Sequence, residues 1–282
     1  MTKIKFSSAP LPFQGQKRRY VKRFASKIDE VPREVPVYDL FGGSGLLANT
    51  CLELGFTDVT WNDYDNFEAR LDLIPETNEI LAHLRTDVLG KYPRKGKLDK
   101  EGKRAAIDVL DIYDSLGPVD FLTISSSLLF SMNYCKTLEE FEKATMYANY
   151  KDKPYDRGGY LEGVRRTSED FRPLMAEGLE REAFLILDPP YLSTDIQHYA
   201  KEEYWNFIDY LNLVYAFKDS AGFAYFTSDK SQVVELLEWY EIKQGVRSPF
   251  TGSDLVEIET RMAGNIATYS DQMFYKYRDS LI

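Results

Sequence analysis

Residues 35–63 limit the possible folds more than any other stretch. Val35-Pro36-Val37-Tyr38-Asp39-Leu40 reads as a short buried strand that runs into the glycine turn Phe41-Gly42-Gly43-Ser44-Gly45. Leu46 to Gly55 then reads as a helix closed by glycine, and Thr57 to Trp61 as a second strand ending at Asn62-Asp63. A strand, helix and strand of these lengths form a βαβ unit, whose parallel strands imply an α/β sheet. Glycines let the backbone approach a ligand, and the helix N-terminus offers free N–H groups, so such a turn suits an anion or a nucleotide. The spacing Gly43-x-Gly45-x-x-Ala48 fits a dinucleotide fingerprint, with an acid, Asp63, at the end of the second strand. NAD and S-adenosylmethionine both present an adenosine whose ribose hydroxyls an acid there would hold. A tight turn with no ligand has the same pattern, and Asp63 would equally serve as a helix cap.

The chain of 282 residues is long enough for one large core, or for a core carrying an insertion. It is 44% hydrophobic and 28% charged, which sets aside disordered and collagen-like classes. No apolar run approaches the roughly 18 to 20 residues of a membrane span. Met1 to Lys5 is followed by Phe6-Ser7-Ser8-Ala9-Pro10 rather than an apolar signal region, so the expected location is the cytoplasm, with no membrane partner. Two cysteines and two histidines are too few and too scattered for a disulfide framework or a zinc site, and no metal is expected.

A formal net charge of −10 argues against a wholly electrostatic nucleic-acid binder. Distribution matters more than the sum, because salt confines each charge to about 8 Å. Basic residues cluster at Lys17, Arg18, Arg19, Lys22, Arg23 and Lys27, and again at Lys91, Arg94, Lys95, Lys97, Lys100, Lys103 and Arg104. A solvated face explains either cluster as simply as a phosphate-binding one.

From Lys91 the composition shifts. Lys91 to Arg104 reads as an exposed loop or boundary, Ala105 to Ser115 and Leu138 to Tyr150 read as helices, and Phe121 to Met132 is ambiguous. Residues 91–159 are therefore expected to form a mostly helical insertion, with 1–90 and 160–282 as the core. The alternation then returns: a strand at Ala183 to Leu187, a helix at Glu202 to Phe217, a strand at Gly222 to Thr227, and a final alternating strand at Gln272 to Tyr277 that would close a sheet edge. Cys51, Cys135, Trp205 and Trp239 are assigned to packing.

The strand Phe184-Leu185-Ile186-Leu187 delivers Asp188-Pro189-Pro190-Tyr191 to the carboxyl edge of the sheet, where ligands bind in open α/β folds. Two successive prolines remove N–H donors and stiffen the loop, leaving carbonyls as acceptors with fixed directions. An aspartate and a proline carbonyl can both accept from one exocyclic NH2 group, and a tyrosine offers a flat face for stacking. The array suits an amino group on a planar ring.

With these motifs the chain resembles the S-adenosylmethionine-dependent amino-methyltransferases, and more closely the DNA adenine-N6 methyltransferases of the Dam type. Pro12-Phe13-Gln14-Gly15-Gln16-Lys17 resembles the family's aromatic-x-Gly-x-Lys element, although Gln16 stands where a second glycine is common. Phe41-Gly42-Gly43-Ser44-Gly45 matches the Phe-x-Gly-x-Gly pattern in full, and the order of elements agrees. The likeness covers the core well and the insertion poorly. It implies a Rossmann-like, mixed, mostly parallel sheet of the class I methyltransferase kind, with the insertion as a target-recognition subdomain. It further implies S-adenosylmethionine as cofactor, held by Phe13, Gln14, Gly15, Lys17, Asp39, Phe41, Gly43, Gly45, Asp63, Asp170 and Phe171. Asp170 fits the acid expected at the adenine, and fits a helix cap equally well.

The implied catalytic residues are Asp188, Pro189, Pro190 and Tyr191. The implied partner is double-stranded DNA, approached by Arg18, Arg19, Arg23, Lys95 and Lys97, for a monomer that works beside a restriction endonuclease. Residues 192–199 would form a lid over a flipped base, or an ordinary surface turn. Three rivals stand: the same chemistry on RNA, cytosine N4 or a protein amide; an NAD-dependent oxidoreductase, for which no His or Tyr-x-x-x-Lys arrangement is visible; and a nucleic-acid-binding module without catalysis.

Overall fold

Seven strands build one sheet. In chain order they are β1 (Val37–Asp39), β2 (Val59–Asn62), β3 (Arg165–Thr167), β4 (Phe184–Leu187), β5 (Gly222–Ser228), β6 (Asp254–Arg261) and β7 (Thr268–Tyr277). The computed structural model describes residues 4–130, 133–190, 205–218, 220–229, 231–245, 247–261 and 268–277. Across the sheet the order is β3-β2-β1-β4-β5-β7-β6. The first five strands run parallel, and β7 runs antiparallel to both β5 and β6. This is the Rossmann-like, mostly parallel sheet that the motifs imply.

β1, β2, β4 and β5 are buried along their whole length, as befits parallel strands covered by helices on both faces. Fully enclosed aromatics such as Phe184, Phe223 and Tyr225 each contribute about 2 to 3 kcal/mol by leaving water. The terminal strand departs from expectation: β7 lies inside the sheet, between β5 and β6, and β6 is the edge. Acidic residues interrupt the apolar alternation of β6, which obscures it as a strand and suits an edge exposed to water.

The chain packs as two compact units, one of Met1–Ser8, Gly15–Asp65 and Leu161–Ile282, the other of Ala9–Gln14 and Asn66–Tyr160. The sequence reading opens the insertion at residue 91; in the structure, residues 66–90 group with the second unit. The first unit holds the sheet with α1 (Val21–Ile28), α2 (Leu46–Glu53), α8 (Phe171–Glu180), α9 (Phe207–Phe217) and α10 (Gln232–Gln244). α9 starts at Phe207, because Asn206 and Asp209 form a reciprocal capping box there. Trp239, expected in packing, is exposed on α10. Cys51 and Cys135 are buried and free.

The second unit is helical: α3 (Phe67–Asp72), α4 (Ile74–Asp87), α5 (Lys100–Leu116), α6 (Phe121–Leu128) and α7 (Leu138–Lys143). Its core joins Ile80 and Leu84 to Leu98, Leu110, Ile124, Leu128, Phe141 and Met146. Asp99 caps α5 by accepting from the Gly102 N–H at 2.8 Å, so this helix starts inside the stretch read as a loop. The helix read over Leu138 to Tyr150 ends at Lys143, because the carbonyls of Met146 and Ala148 accept from the N–H groups of Leu98 and Lys95 at 3.0 and 2.8 Å. No helix among the described residues is long and apolar enough to cross a membrane. Among the described residues no group of His, Cys, Asp or Glu is arranged to hold a metal ion.

Candidate active site

Strand order reverses between β1 and β4, and the carboxyl ends of those two strands deliver Asp39 and Asp188 side by side. In open α/β sheets this switch point opens the crevice that takes ligands. The glycine turn follows directly from Asp39. Gly43 and Gly45 adopt φ of 46° and 72°, a region that side chains disfavour. A Cβ on Gly42 would lie 2.1 Å from Cδ1 of Trp61, and one on Gly45 would lie 2.7 Å from a methyl of Leu161. The turn is thus tied to the indole beneath it, and the Gly45 N–H closes it on the Gly42 carbonyl at 2.6 Å. α2 starts immediately afterwards, with its first N–H groups at the turn.

Asp39 is 2% exposed. Burial first, and then the neighbouring charge of Asp188, pushes its carboxyl up to about 8, against the opposing pull of the Ala48 N–H and Lys17. Asp63 is fully buried at the end of β2, where Arg166 of β3 pairs with it at 2.9 Å. Sequence reasoning missed Arg166, since β3 is only three residues long and mostly exposed, and gives no periodic signal. Asn62, one residue earlier, donates to the carbonyls of Leu40 and Glu169 at 3.1 and 2.9 Å, fixing the loops that leave β1 and β3.

Asp188 forms an ion pair with Lys17, Nζ to Oδ2 at 2.5 Å, and Lys17 also donates to the Gly15 carbonyl at 3.2 Å. The sequence reading places Lys17 at the cofactor; in the structure its ammonium sits on the strand-end aspartate. The hydroxyl of Tyr210 in α9 donates to the Pro190 carbonyl. The Pro189 carbonyl and Oδ1 of Asp188 accept no hydrogen bond among the described residues. Tyr191 and the loop 192–199 lie outside the described residues.

Phe41 and Phe171 pack at a tilt with ring centres 5.0 Å apart and share Trp205, 5.4 and 5.3 Å away, as a partner. Asp170 acts as the N-cap of α8: it accepts from the Arg172 N–H at 2.9 Å and pairs with the Arg172 guanidinium at 2.7 Å. Its carboxylate therefore has a local structural use, the second of the two roles the sequence allowed. Phe13 and Gln14 belong to the second unit. There Phe13 meets Phe67 edge-on at 5.6 Å, and Arg70 binds the Pro12 carbonyl at 2.9 Å while pairing with buried Asp120 at 3.0 Å.

The basic candidates divide. Arg19 donates to the Glu259 carbonyl, Arg23 to the Glu257 carbonyl at 2.8 Å, and Lys27 pairs with Asp254 at 2.6 Å. These three cover the open edge of β6, so Arg19 and Arg23 do not present free guanidiniums to phosphates. Arg18, Lys95 and Lys97 are exposed and form no ion pair among the described residues.

Along 280 residues the chain is 31% identical to a "Putative methyltransferase" of Haemophilus influenzae, covering 96% of this chain and 93% of that protein. No family model matches the chain. Among solved structures, a putative methylase of Haemophilus influenzae aligns with 95% of this chain and 92% of its own, at 10% identity and a TM-score of 0.35. An SAM-dependent methyltransferase of Agrobacterium tumefaciens aligns with 91% of this chain and 60% of its own, at 13% identity and a TM-score of 0.38.

Proposed function

The chain belongs to the methyltransferase family of its Haemophilus influenzae relative, and we propose that it transfers a methyl group from S-adenosylmethionine to N6 of an adenine flipped out of double-stranded DNA. The observation that carries this reading is the pair of open acceptors at the strand end, Oδ1 of Asp188 and the Pro189 carbonyl, one residue apart beside an ammonium that charges the carboxylate. Two acceptors at that spacing suit the two hydrogens of one exocyclic amine.

The glycine turn fits the cofactor. Its backbone comes bare to the start of α2, side chains are excluded at Gly42 and Gly45, and a buried acid stands at the end of the neighbouring strand. S-adenosylmethionine supplies a methyl group on a sulfonium, whose C–S bond breaks with its electron pair retained by sulfur as the new N–C bond forms. Adenine N6 is a weak nucleophile, because its lone pair is delocalised into the ring. Accepting both N–H bonds, Asp188 and Pro189 localise that lone pair and stabilise the positive charge that develops on nitrogen. Oδ1 of Asp188 is then the base for the proton that the nitrogen sheds. Burial raises Asp188 from its usual value while Lys17 opposes the rise, and a raised carboxylate is the stronger base.

A base inside a duplex is out of reach, so the adenine must leave the stack at a cost of a few kcal/mol. Stacking on Tyr191 would offset part of this. The exposed lysines Lys95 and Lys97 of the second unit would follow the phosphates, which makes that unit the target-recognition part, and a restriction endonuclease of the same specificity is the fitting partner system.

Purified protein incubated with tritiated S-adenosylmethionine and unmethylated genomic DNA, then digested to nucleosides, is expected to yield labelled N6-methyldeoxyadenosine, and Asp188→Ala none. Label that enters only RNA or protein in parallel incubations would overturn the DNA reading while keeping the methyltransferase.

A further inference from the structure

Asp188 has an uncommon setting for a catalytic carboxylate. Two groups from other segments act on it, the cation Lys17 from the stretch ahead of α1 and the acid Asp271 on β7, while its own charge acts on Asp39 at the end of β1. Lys17 and Asp188 are 14% and 19% exposed, so water screens them little. Without a cation at this point, burial and the charge of Asp271 would both favour a neutral Asp188.

We propose that Lys17 is a positioning residue for the methyl-transfer step: its ammonium anchors Oδ2 of Asp188, keeps the carboxylate charged, and leaves Oδ1 aimed as the acceptor for the amine. The inference rests on the reading that Asp188 receives the amino group, and it assigns Lys17 to the substrate side of the reaction rather than to the cofactor. Several features support the assignment. The ammonium lies 2.5 Å from Oδ2, and the Gly15 carbonyl holds the same ammonium at 3.2 Å, so the lysine is itself oriented. The Phe226 ring lies 5.7 Å beneath the ammonium and gives it a third contact. Oδ1 has no partner among the described residues, which leaves one oxygen for structure and one for chemistry.

Electrostatics around the pair agree. Burial raises Asp188, Asp271 raises it further, and Lys17 is the group that opposes both. Tyr20, at the head of α1, is raised by its own burial and by Asp271, so it stays a neutral phenol and adds no charge. With Asp39 holding a proton at neutral pH, Lys17 and Asp188 balance each other.

The test uses the full-length protein with Lys17→Met and Lys17→Arg. Single-turnover transfer to DNA at pH 7 should fall roughly a hundredfold in Lys17→Met, and S-adenosylmethionine affinity should stay close to wild type. Because Asp188 then needs a higher pH to ionise, the variant's rate should climb with pH across the range where the wild-type rate is flat. Lys17→Arg should restore most of the rate and the flat profile. A second readout needs no activity: the carboxyl carbon resonance of Asp188, assigned by its loss in Asp188→Asn, should titrate at higher pH in Lys17→Met than in wild type. Unchanged titration, or a Lys17→Met protein that binds S-adenosylmethionine much more weakly yet transfers at the wild-type rate when saturated, overturns the proposal. If wild-type protein labels no DNA, the reading of the substrate fails, and the carbon titration still decides the role of Lys17.

Discussion

Arg19, Arg23 and Lys27 of the first unit turn their charges onto the open edge of β6, whereas Lys95 and Lys97 of the second unit carry theirs into solvent. The two basic clusters are alike in length and composition. What differs is the neighbouring surface. An edge strand presents unpaired carbonyls, and Arg19 and Arg23 satisfy two of them, those of Glu259 and Glu257. In the second cluster Arg94 and Lys103 are used in the same way, on the carbonyls of Tyr150, Glu142 and Ala144, while Lys95 and Lys97 stay exposed. A protein of net charge −10 can therefore hold a locally basic surface where single lysines such as Lys95 and Lys97 stay exposed.

Replacing Lys95, Lys97 and Lys100 together with glutamine would test this contrast with the largest effect. DNA affinity should drop roughly tenfold at low salt, and the slope of log affinity against log salt should become shallower by about 0.9 per lysine that meets a phosphate. Melting temperature should hardly move. Replacing Arg19 and Arg23 with glutamine should do the reverse: stability lower by about 1 kcal/mol in denaturant titration, with the salt slope retained. A steep loss of DNA affinity in the arginine pair would break the contrast.

A further expectation concerns the pH dependence set by Asp39. Its folded value of about 8 stands above the unfolded value of about 3.9, so the folded state holds the proton more tightly between those limits. Stability from this group is full below the unfolded value and declines as pH rises, by up to about 1.4 kcal/mol per pH unit. Asp39→Asn should accordingly gain on wild type between pH 5 and pH 8 in parallel unfolding curves.

Much of the first unit was legible because its signals are local. Continuous apolar runs such as Phe184-Leu185-Ile186-Leu187 mark buried parallel strands, and positive-φ glycines mark the turn. The resemblance to methyltransferases came from the order of these motifs, and the Haemophilus influenzae relative bears it out at that coarser level. Less legible were elements defined by partners far along the chain. β3 is three residues long, β6 is interrupted by acids, and the end of α7 depends on hydrogen bonds to residues 95–98. The same holds for side chains: no spacing rule joins Arg166 to Asp63, Lys17 to Asp188 or Arg23 to a strand carbonyl, because each contact is made only when the sheet is assembled.

The central claim is that Asp188 acts on the amine and not on the cofactor. Calorimetric titration of S-adenosylmethionine into wild type and Asp188→Ala, beside single-turnover transfer to DNA, tests it directly. The account predicts affinities that agree within about threefold and a transfer rate lower by roughly a thousandfold or more. Parallel loss of binding and transfer would place Asp188 at the cofactor and contradict it.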